Sequence, residues 1–409
     1  MRFRRLGAVL PALLLALALL PAAAAPAAPA AAPEGIEAQA WTVVDARSGD
    51  VLASQAAEER RPIASATKLM TAYVAMRELA PDEVVRAAPY EAIYGESLLG
   101  LRTGEKVSVR DLLYGLLLVS GNDAAHTLAV AAAGSEERFV GQMNRYAAAL
   151  GLADTHYANT IGLDEEGNYS SAADLATLTR RLLQDPAFAK IVDTREALLR
   201  SFNPPRRIEN SNDLLGTAPW VSGVKTGHTF DAGYVLVASG ERRGVSLVSV
   251  ALGEPTEEAR FADSFDLLEY GFSQYRPRLP VRAGEDLASP EIRYSGGSLP
   301  LRAERSIQAG VRRDQRLDLR VSAPGEVEGP IRRGARLGRA TVFVDGRKVG
   351  SVALRAGRSV PQASAFDRAR ALVADNWIPI AIAAFVILMI MGTLLRGVAR
   401  RKPVRSRIG

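Results

Sequence analysis

Apolar residues follow a helical spacing over much of the chain's first two thirds and an alternating one beyond it, and an uninterrupted apolar run lies near each end. Residues 41–46 and 51–53, on either side of Arg47-Ser48-Gly49-Asp50, predict a hairpin. Ser108, with Asp111 three residues on, resembles a capping box opening an apolar helix that runs through Leu118. Ser135 predicts the cap of a helix in which Phe139, Met143 and Leu150 recur at one face before Gly151. Ser171 opens another, with Leu175, Leu178 and Leu182 aligned. The period then changes: residues 234–238 and 245–251 predict antiparallel strands, followed by a helix carrying Phe261, Phe265 and Leu268 that ends near Gly271. Mixed helices and strands over residues 36–272 predict one α/β (α+β) domain with an antiparallel sheet.

Beyond residue 275 the helical period stops. Leu317, Leu319 and Val321 alternate with polar residues, and Asp345-Gly346 between residues 342–344 and 349–354 is a two-residue hairpin signal. A small all-β domain over 275–356 is expected, with a stalk over 357–376.

The ends read as membrane signals. Arg2, Arg4 and Arg5 precede an apolar run over residues 6–20 and then small residues, the order of a signal peptide, expected over 1–25. Residues 21–33 are only Pro and Ala, so 26–35 reads as a linker. Residues 377–395 carry no charge, which predicts one transmembrane helix. Six Lys and Arg follow in the tail 396–409, which by the positive-inside rule stays cytoplasmic while the body lies outside.

Charge and composition narrow the function classes. Hydrophobic residues make up 48% and charged residues 23%, which excludes wholesale disorder and fibrous readings. The net charge is +6, but the two ends contribute +9, so residues 6–395 carry −3 and a nucleic-acid partner loses its main support. Cysteine is absent, which removes disulfides, thiolate nucleophiles and thiolate metal ligands. His126, His156 and His228 are widely spaced, and no metal or cofactor is expected.

Three short motifs carry the candidate chemistry. In Ser65-Ala-Thr-Lys68, a serine at a helix start meets exposed backbone N–H groups, and a lysine three residues on lies one turn away on the same face. A desolvated, neutral amine there could take the serine proton. Alone the pattern is weak: a capping serine beside a solvated lysine has the same spacing, as has Ser222-Gly-Val-Lys225. Ser120-Gly121-Asn122 offers a hydroxyl to relay a proton and an amide to hold a peptide bond, or merely a helix N-cap at Asn122 or Asp123. Lys225-Thr226-Gly227 offers a cation and a hydroxyl to a carboxylate beside a strand edge, or merely an edge strand guarded by a lysine.

In order and spacing, 65, 120 and 225, these motifs resemble the Ser-x-x-Lys, Ser-Asp-Asn and Lys-Thr-Gly set of penicillin-binding proteins and class A β-lactamases. The surrounding Arg61-Pro-Ile-Ala-Ser-Ala-Thr-Lys, Ser120-Gly-Asn-Asp-Ala-Ala, Gly162-Leu-Asp and Lys225-Thr-Gly-His-Thr look like the low-molecular-mass D-alanyl-D-alanine carboxypeptidases. The resemblance covers residues 36–272, and a following β domain with a C-terminal membrane attachment is typical of that family. It implies a bacterial cell-membrane enzyme, single-pass, with its catalytic domain on the extracytoplasmic side. Its substrate would be a peptidoglycan stem peptide ending in D-Ala-D-Ala, and β-lactam antibiotics would be covalent inhibitors.

Placed on these residues, the resemblance makes Ser65 the nucleophile, Lys68 the general base and Ser120 the proton relay to the leaving nitrogen. Asn122 would hold the acyl-side amide, and Lys225 and Thr226 would grip the terminal carboxylate with Gly227 allowing close approach. The backbone N–H groups of Ser65 and His228 would form the oxyanion hole, and Arg260 is a second candidate for the carboxylate. One departure stands out: Gly121 replaces the Asp of class A β-lactamases, and no Glu-x-x-Leu-Asn element follows. Glu165 and Glu166 fall instead in a turn, so a penicilloyl-enzyme is expected to turn over slowly. An endopeptidase using the same residues, and an anchored β-lactam-binding sensor or scaffold, are the rival readings.

Overall fold

The structure, a computed structural model, describes residues 33–399. The expected signal peptide, most of the linker and most of the basic tail lie outside these residues.

Residues 36–272 form a five-stranded antiparallel sheet with helices on both faces. The strands are β1 (Ala40–Asp45), β2 (Val51–Gln55), β3 (Val221–Thr229), β4 (Gly233–Arg242) and β5 (Val245–Glu254), in spatial order β2-β1-β5-β4-β3. β1 and β2 are the expected hairpin, and β4 and β5 the expected pair. Alternation along β4 sorts its side chains: Val235 and Val237 join the large helical core, and Leu236 and Ala238 point to the opposite face. The strand between Thr229 and Val221 ends the sheet, so one side of β3 is an edge.

Six helices cover the first face: α1 (Lys68–Glu78), α2 (Val109–Leu117), α3 (Asn122–Ala133), α4 (Glu136–Ala149), α5 (Ala172–Leu182) and α6 (Pro186–Val192). α1 runs through their middle, and all of its residues from Lys68 to Ala75 are buried. That is why its sequence is apolar around most of the circumference rather than along one stripe. The helix α7 (Glu257–Ser273) covers the other face with Leu267, Leu268 and Phe272.

Ser108, Ser135 and Ser171 cap their helices as expected, accepting from the backbone N–H of Asp111, Arg138 and Asp174. The reciprocal half of the capping box at Ser108 is not made. The Asp111 carboxylate accepts instead from the N–H and hydroxyl of Ser201, ninety positions away, because it is needed to hold the loop over the helix start. At the other uncertain cap, neither Asn122 nor Asp123 is the N-cap of α3. Gly121 holds that position, and the Asp123 carboxylate accepts from Leu99, Gly100 and Leu101 N–H, pinning the preceding loop.

Residues 276–356 are all β. Arg276–Val281 pairs with Ile307–Val311. A second five-stranded sheet has the order Asp286–Ala288, Leu301–Ala303, Arg347–Ala356, Arg336–Val344, Leu317–Ser322. Val344 pairs with Arg347 across Asp345 and Gly346, both at positive φ (48° and 76°), which the Asp-Gly pair tolerates in a two-residue turn. Val281, Leu299, Leu301, Val342 and Leu354 form its core. The expected stalk contains a helix, α8 (Ala365–Asp375), started by a full capping box between Ser364 and Asp367. α9 (Trp377–Ala399) follows; its 18 residues from Trp377 to Leu394 have a mean hydropathy of 2.4 and lie exposed. Among the described residues it is the one helix long and apolar enough to cross a membrane.

Candidate active site

The fold gathers the three motifs at one end of the sheet, where a 3-10 turn (Ala64–Thr67) packs against the edge strand β3. Ser65 sits in this turn rather than inside α1, and Lys68 is the first residue of the helix. Backbone strain holds the serine forward: Ala64 has φ of 46°, a left-handed conformation that a non-glycine residue rarely keeps without surrounding support.

Lys68 is fully buried. Its Nζ lies 2.9 Å from Ser65 Oγ and donates to the Ile161 carbonyl at 2.6 Å. Burial, then the charge of Lys225, hold its pKa well below the usual lysine value, against the smaller opposing pull of Glu96 and Asp123. With the Ile161 carbonyl accepting one N–H, a neutral amine can direct its lone pair at the Ser65 hydroxyl.

Ser120 lies at φ of 61° at the turn between α2 and α3, and its buried hydroxyl has no hydrogen-bond partner. A buried unpaired hydroxyl beside a strained backbone is unfavourable for folding, which points to a partner supplied by a ligand. Asn122 donates to the Glu96 carboxylate at 2.9 Å, which also accepts from the Tyr90 hydroxyl. Glu96 thereby fixes the rotamer of Asn122, and sequence pattern had not singled it out. A side chain at Gly121 would meet Leu99 N at 2.9 Å, so the glycine that departs from the β-lactamase motif lets the 96–101 loop close over α3.

On the facing strand, Lys225 is buried and donates to the Thr226 carbonyl at 2.8 Å. Burial, then the nearby Arg260 guanidinium, lower its pKa to about 7. Thr226 Oγ1 is 2.9 Å from Ser211 Oγ. Arg260, from α7, donates to the Gly227 carbonyl at 3.3 Å and pairs with Glu257, while its buried Nε has no acceptor. The exposed His228 ring stacks on Tyr234 at 4.1 Å.

Two glycines make the assembly possible. A Cβ at Gly227 would lie 3.0 Å from both Ala64 Cβ and Ser65 N, so only glycine lets the edge strand reach the serine turn. Gly162, at φ of 91°, would place a Cβ 1.9 Å from the Ala64 carbonyl oxygen. Next to it, Asp164 accepts from Thr229 Oγ1 at 2.6 Å and from Asp231 N–H, tying the 159–168 loop to the end of β3. Glu165 accepts from Asn159, as a turn residue does. Among the described residues no cluster of three His, Asp or Glu side chains offers a metal site.

Comparisons with known proteins agree with this geometry. A family profile described as D-alanyl-D-alanine carboxypeptidase matches residues 26–256. D-alanyl-D-alanine carboxypeptidase DacA of Escherichia coli is 34% identical over 349 residues, covering 81% of this chain and 86% of that protein. D-alanyl-D-alanine carboxypeptidase DacF of Bacillus subtilis is 32% identical, over 76% of this chain and 82% of its own. The crystal structure of penicillin-binding protein 5 from Haemophilus influenzae superposes with a TM-score of 0.56 at 28% identity, covering 81% of this chain and all of that one. With the serine, the buried lysine and the edge strand brought together at one end of the sheet, the chain belongs to the D-alanyl-D-alanine carboxypeptidase family of serine peptidases.

Proposed function

We propose that this chain removes the terminal D-alanine from peptidoglycan stem peptides through an acyl-enzyme on Ser65. The observation that carries the reading is the buried Lys68 amine 2.9 Å from Ser65 Oγ, held below its ordinary pKa by burial. The Ser65 hydroxyl gives its proton to Lys68 Nζ as Oγ attacks the carbonyl between the two D-alanines. Charge developing on that oxygen meets the backbone N–H groups of Ser65 and His228, on the two segments that Gly227 allows to touch; one well-placed donor contributes about 3 kcal/mol. The peptide bond breaks when the leaving nitrogen takes a proton through Ser120 Oγ, whose hydroxyl lacks any partner in the free protein. Water then adds to the ester carbonyl and Ser65 regains its proton.

Asn122, set by Glu96, holds the acyl-side amide, and the stem peptide lies along the free edge of β3. Lys225, Thr226 and Arg260 receive the terminal carboxylate; its negative charge restores the protonated form of Lys225. β-Lactams acylate Ser65 by the same attack, and without a Glu-x-x-Leu-Asn element to supply a deacylating carboxylate they leave slowly. The apolar helix α9 anchors the chain in the membrane as a single span, with the site outside the cytoplasm.

The test is D-alanine release from a synthetic stem pentapeptide by the full chain beside its Ser65→Ala variant. Release that vanishes in the variant is expected. Release that survives would remove Ser65 from the chemistry, and cleavage of a cross-linked dimer into its two stem peptides without D-alanine release from the pentapeptide would make the enzyme an endopeptidase.

A further inference from the structure

The body's net charge conceals a strong segregation. Residues 276–360 contain 18 Arg and Lys against nine Asp and Glu, a net of +9, whereas residues 6–275 contain 22 against 34, a net of −12. These basic residues divide between the two ends of the second sheet: Arg312, Arg316, Arg347 and Lys348 lie toward the catalytic domain, and Arg302, Arg332, Arg333, Arg336, Arg355 and Arg358 at the end from which the chain leaves. Arg302 and Arg336 both stand opposite Arg355 in adjacent strands, a row of three like charges of which Asp286 and Glu304 partner two and leave Arg336 without an ion pair. The turn at Arg332 and Arg333 folds onto the outgoing chain: Gly334 N–H donates to Ala356 O, Ile331 pairs with Val360, and Arg333 N–H donates to Ser359 Oγ. Arg358 reaches back to the Ser298 carbonyl.

Four carboxylates at this end are engaged in ion pairs, and Glu285 and Glu291 beside them have none within 4.0 Å among the described residues. Asp286 pairs with Arg302, Glu304 with Arg355, Glu326 with Arg293 and Glu328 with Arg368. Among the described residues, Arg332, Arg333, Arg336 and Arg358 have no carboxylate within 4.0 Å, and all four are exposed. This is also the end from which the chain leaves for α9, and the Arg368–Glu328 pair ties the start of α8 to it. Sixteen residues separate Val360 from Trp377, 11 of them in α8. They span at most about 35 Å upright and bring the patch nearer if α8 lies flat.

We propose that this arginine-rich end of the β domain docks on the anionic phospholipid headgroups of the bilayer that α9 enters. Guanidinium groups suit phosphate because they present paired donors and stay charged at any physiological pH. The contact orients the molecule: α9 alone leaves it free to tumble on a tether, whereas a second, electrostatic footing fixes which end faces the lipid. The acidic catalytic part is repelled by the same surface, which reinforces that orientation. The inference rests on α9 being a membrane span.

The experiment uses the full chain in lipid nanodiscs. Because the chain has no cysteine, Ser295→Cys, in the loop beside Arg293, gives a unique fluorophore site. Energy transfer to an acceptor-labelled lipid is read in discs of phosphatidylcholine alone or mixed with phosphatidylglycerol. Higher transfer in the anionic discs is expected, falling to the neutral value in about 1 M salt, where the screening length drops to about 3 Å. The same loss is expected for Arg332→Glu/Arg333→Glu/Arg358→Glu, and a partial loss for the milder triple Gln variant; the salt comparison needs no substitution. Equal transfer in both discs would overturn the proposal, as would a rise that survives the charge reversal. Equal transfer with inorganic polyphosphate shifting the label's emission would assign the patch to a free phosphate polymer instead. A chain that fails to enter either disc would remove the anchor and this inference together, an outcome distinct from entry without a lipid-dependent difference.

Discussion

Two lysines with opposite tasks stand within one site. In the proposed mechanism Lys68 acts as a neutral base, which burial favours, and Lys225 as a cation for the carboxylate, although burial brings it to about 7. Below pH 7 the free enzyme keeps Lys225 protonated, and above it the cation is progressively lost. The pH profile of kcat/KM, which reports the free enzyme, is therefore expected to fall on the alkaline side from about pH 7. In kcat the fall should come later, since a bound carboxylate favours the charged amine. A pentapeptide with its terminal carboxylate blocked as an amide should lack the difference, and an identical limb for both peptides would exonerate Lys225. Lys225→Met is expected to lower kcat/KM by roughly 10–100-fold, the worth of one charge-assisted hydrogen bond. Ser65, Lys68, Ser120, Asn122 and Lys225 were legible as candidates because their chemistry depends on residue type at short spacing. Glu96, which sets Asn122 from 26 positions away, and the Ile161 carbonyl, which sets Lys68 from 93, were not, because folding alone creates those neighbours.

Elements meet at this site only where side chains are missing. Gly227→Ala puts a methyl 3.0 Å from Ser65 N, and the edge strand must retreat by a few tenths of an ångström. A fold left nearly intact with D-alanine release reduced at least roughly tenfold is expected, read by a thermal melt beside the activity assay. Gly162→Ala is harsher, with its Cβ at 1.9 Å from backbone and φ at 91°, and should lower stability itself by about 2–4 kcal/mol. β5 ends on a buried acid. Glu254, buried with both oxygens lacking a donor, is pushed to about 8 by burial first and by Asp263 next. Asp263 in turn accepts from the backbone N–H groups of Glu37 and Ala38. Folded Glu254 thus binds its proton up to about pH 8 and the unfolded chain only to about 4.5, so stability falls as pH rises between them and is level above. Glu254→Gln should leave the Tm almost unchanged near pH 4 and raise it by roughly 5 °C at pH 9; a gap independent of pH would mean the carboxyl is not titrating. Helices and strands were readable from period and caps, down to the serines at 108, 135 and 171. What failed was the destination of the acid three residues on: Asp111 serves Ser201 and Asp174 serves residues 154 and 155, and local pattern says nothing of that.

At the scale of the molecule, register fixes where the second domain can act. His228 pairs with Tyr234 and Tyr234 with Glu254, so the site lies at one end of the first sheet; Asp45 pairs with Leu247 near the other. Ten residues of β5 separate those ends, about 30 Å. The β domain is fastened at the far end. Arg312 donates to Asp50 at 2.9 Å, the Tyr275 hydroxyl donates to Asp45 at 2.6 Å, and Gly310 passes so close that a Cβ there would lie 2.0 Å from Val245 Cγ2. A joint so placed can set the height and tilt of the site above a membrane without touching its chemistry. Arg312→Ala removes the ion pair, partly screened by solvent, and leaves Asp50 without it, a cost of about 1–2 kcal/mol. It should therefore lower the urea midpoint while D-alanine release from a soluble pentapeptide stays within roughly twofold of the parent. A large fall in that release with the fold intact would mean that the joint reaches the catalytic end through the sheet. With release unchanged, any defect confined to membrane-embedded substrate would place the β domain's role in positioning the site rather than in building it.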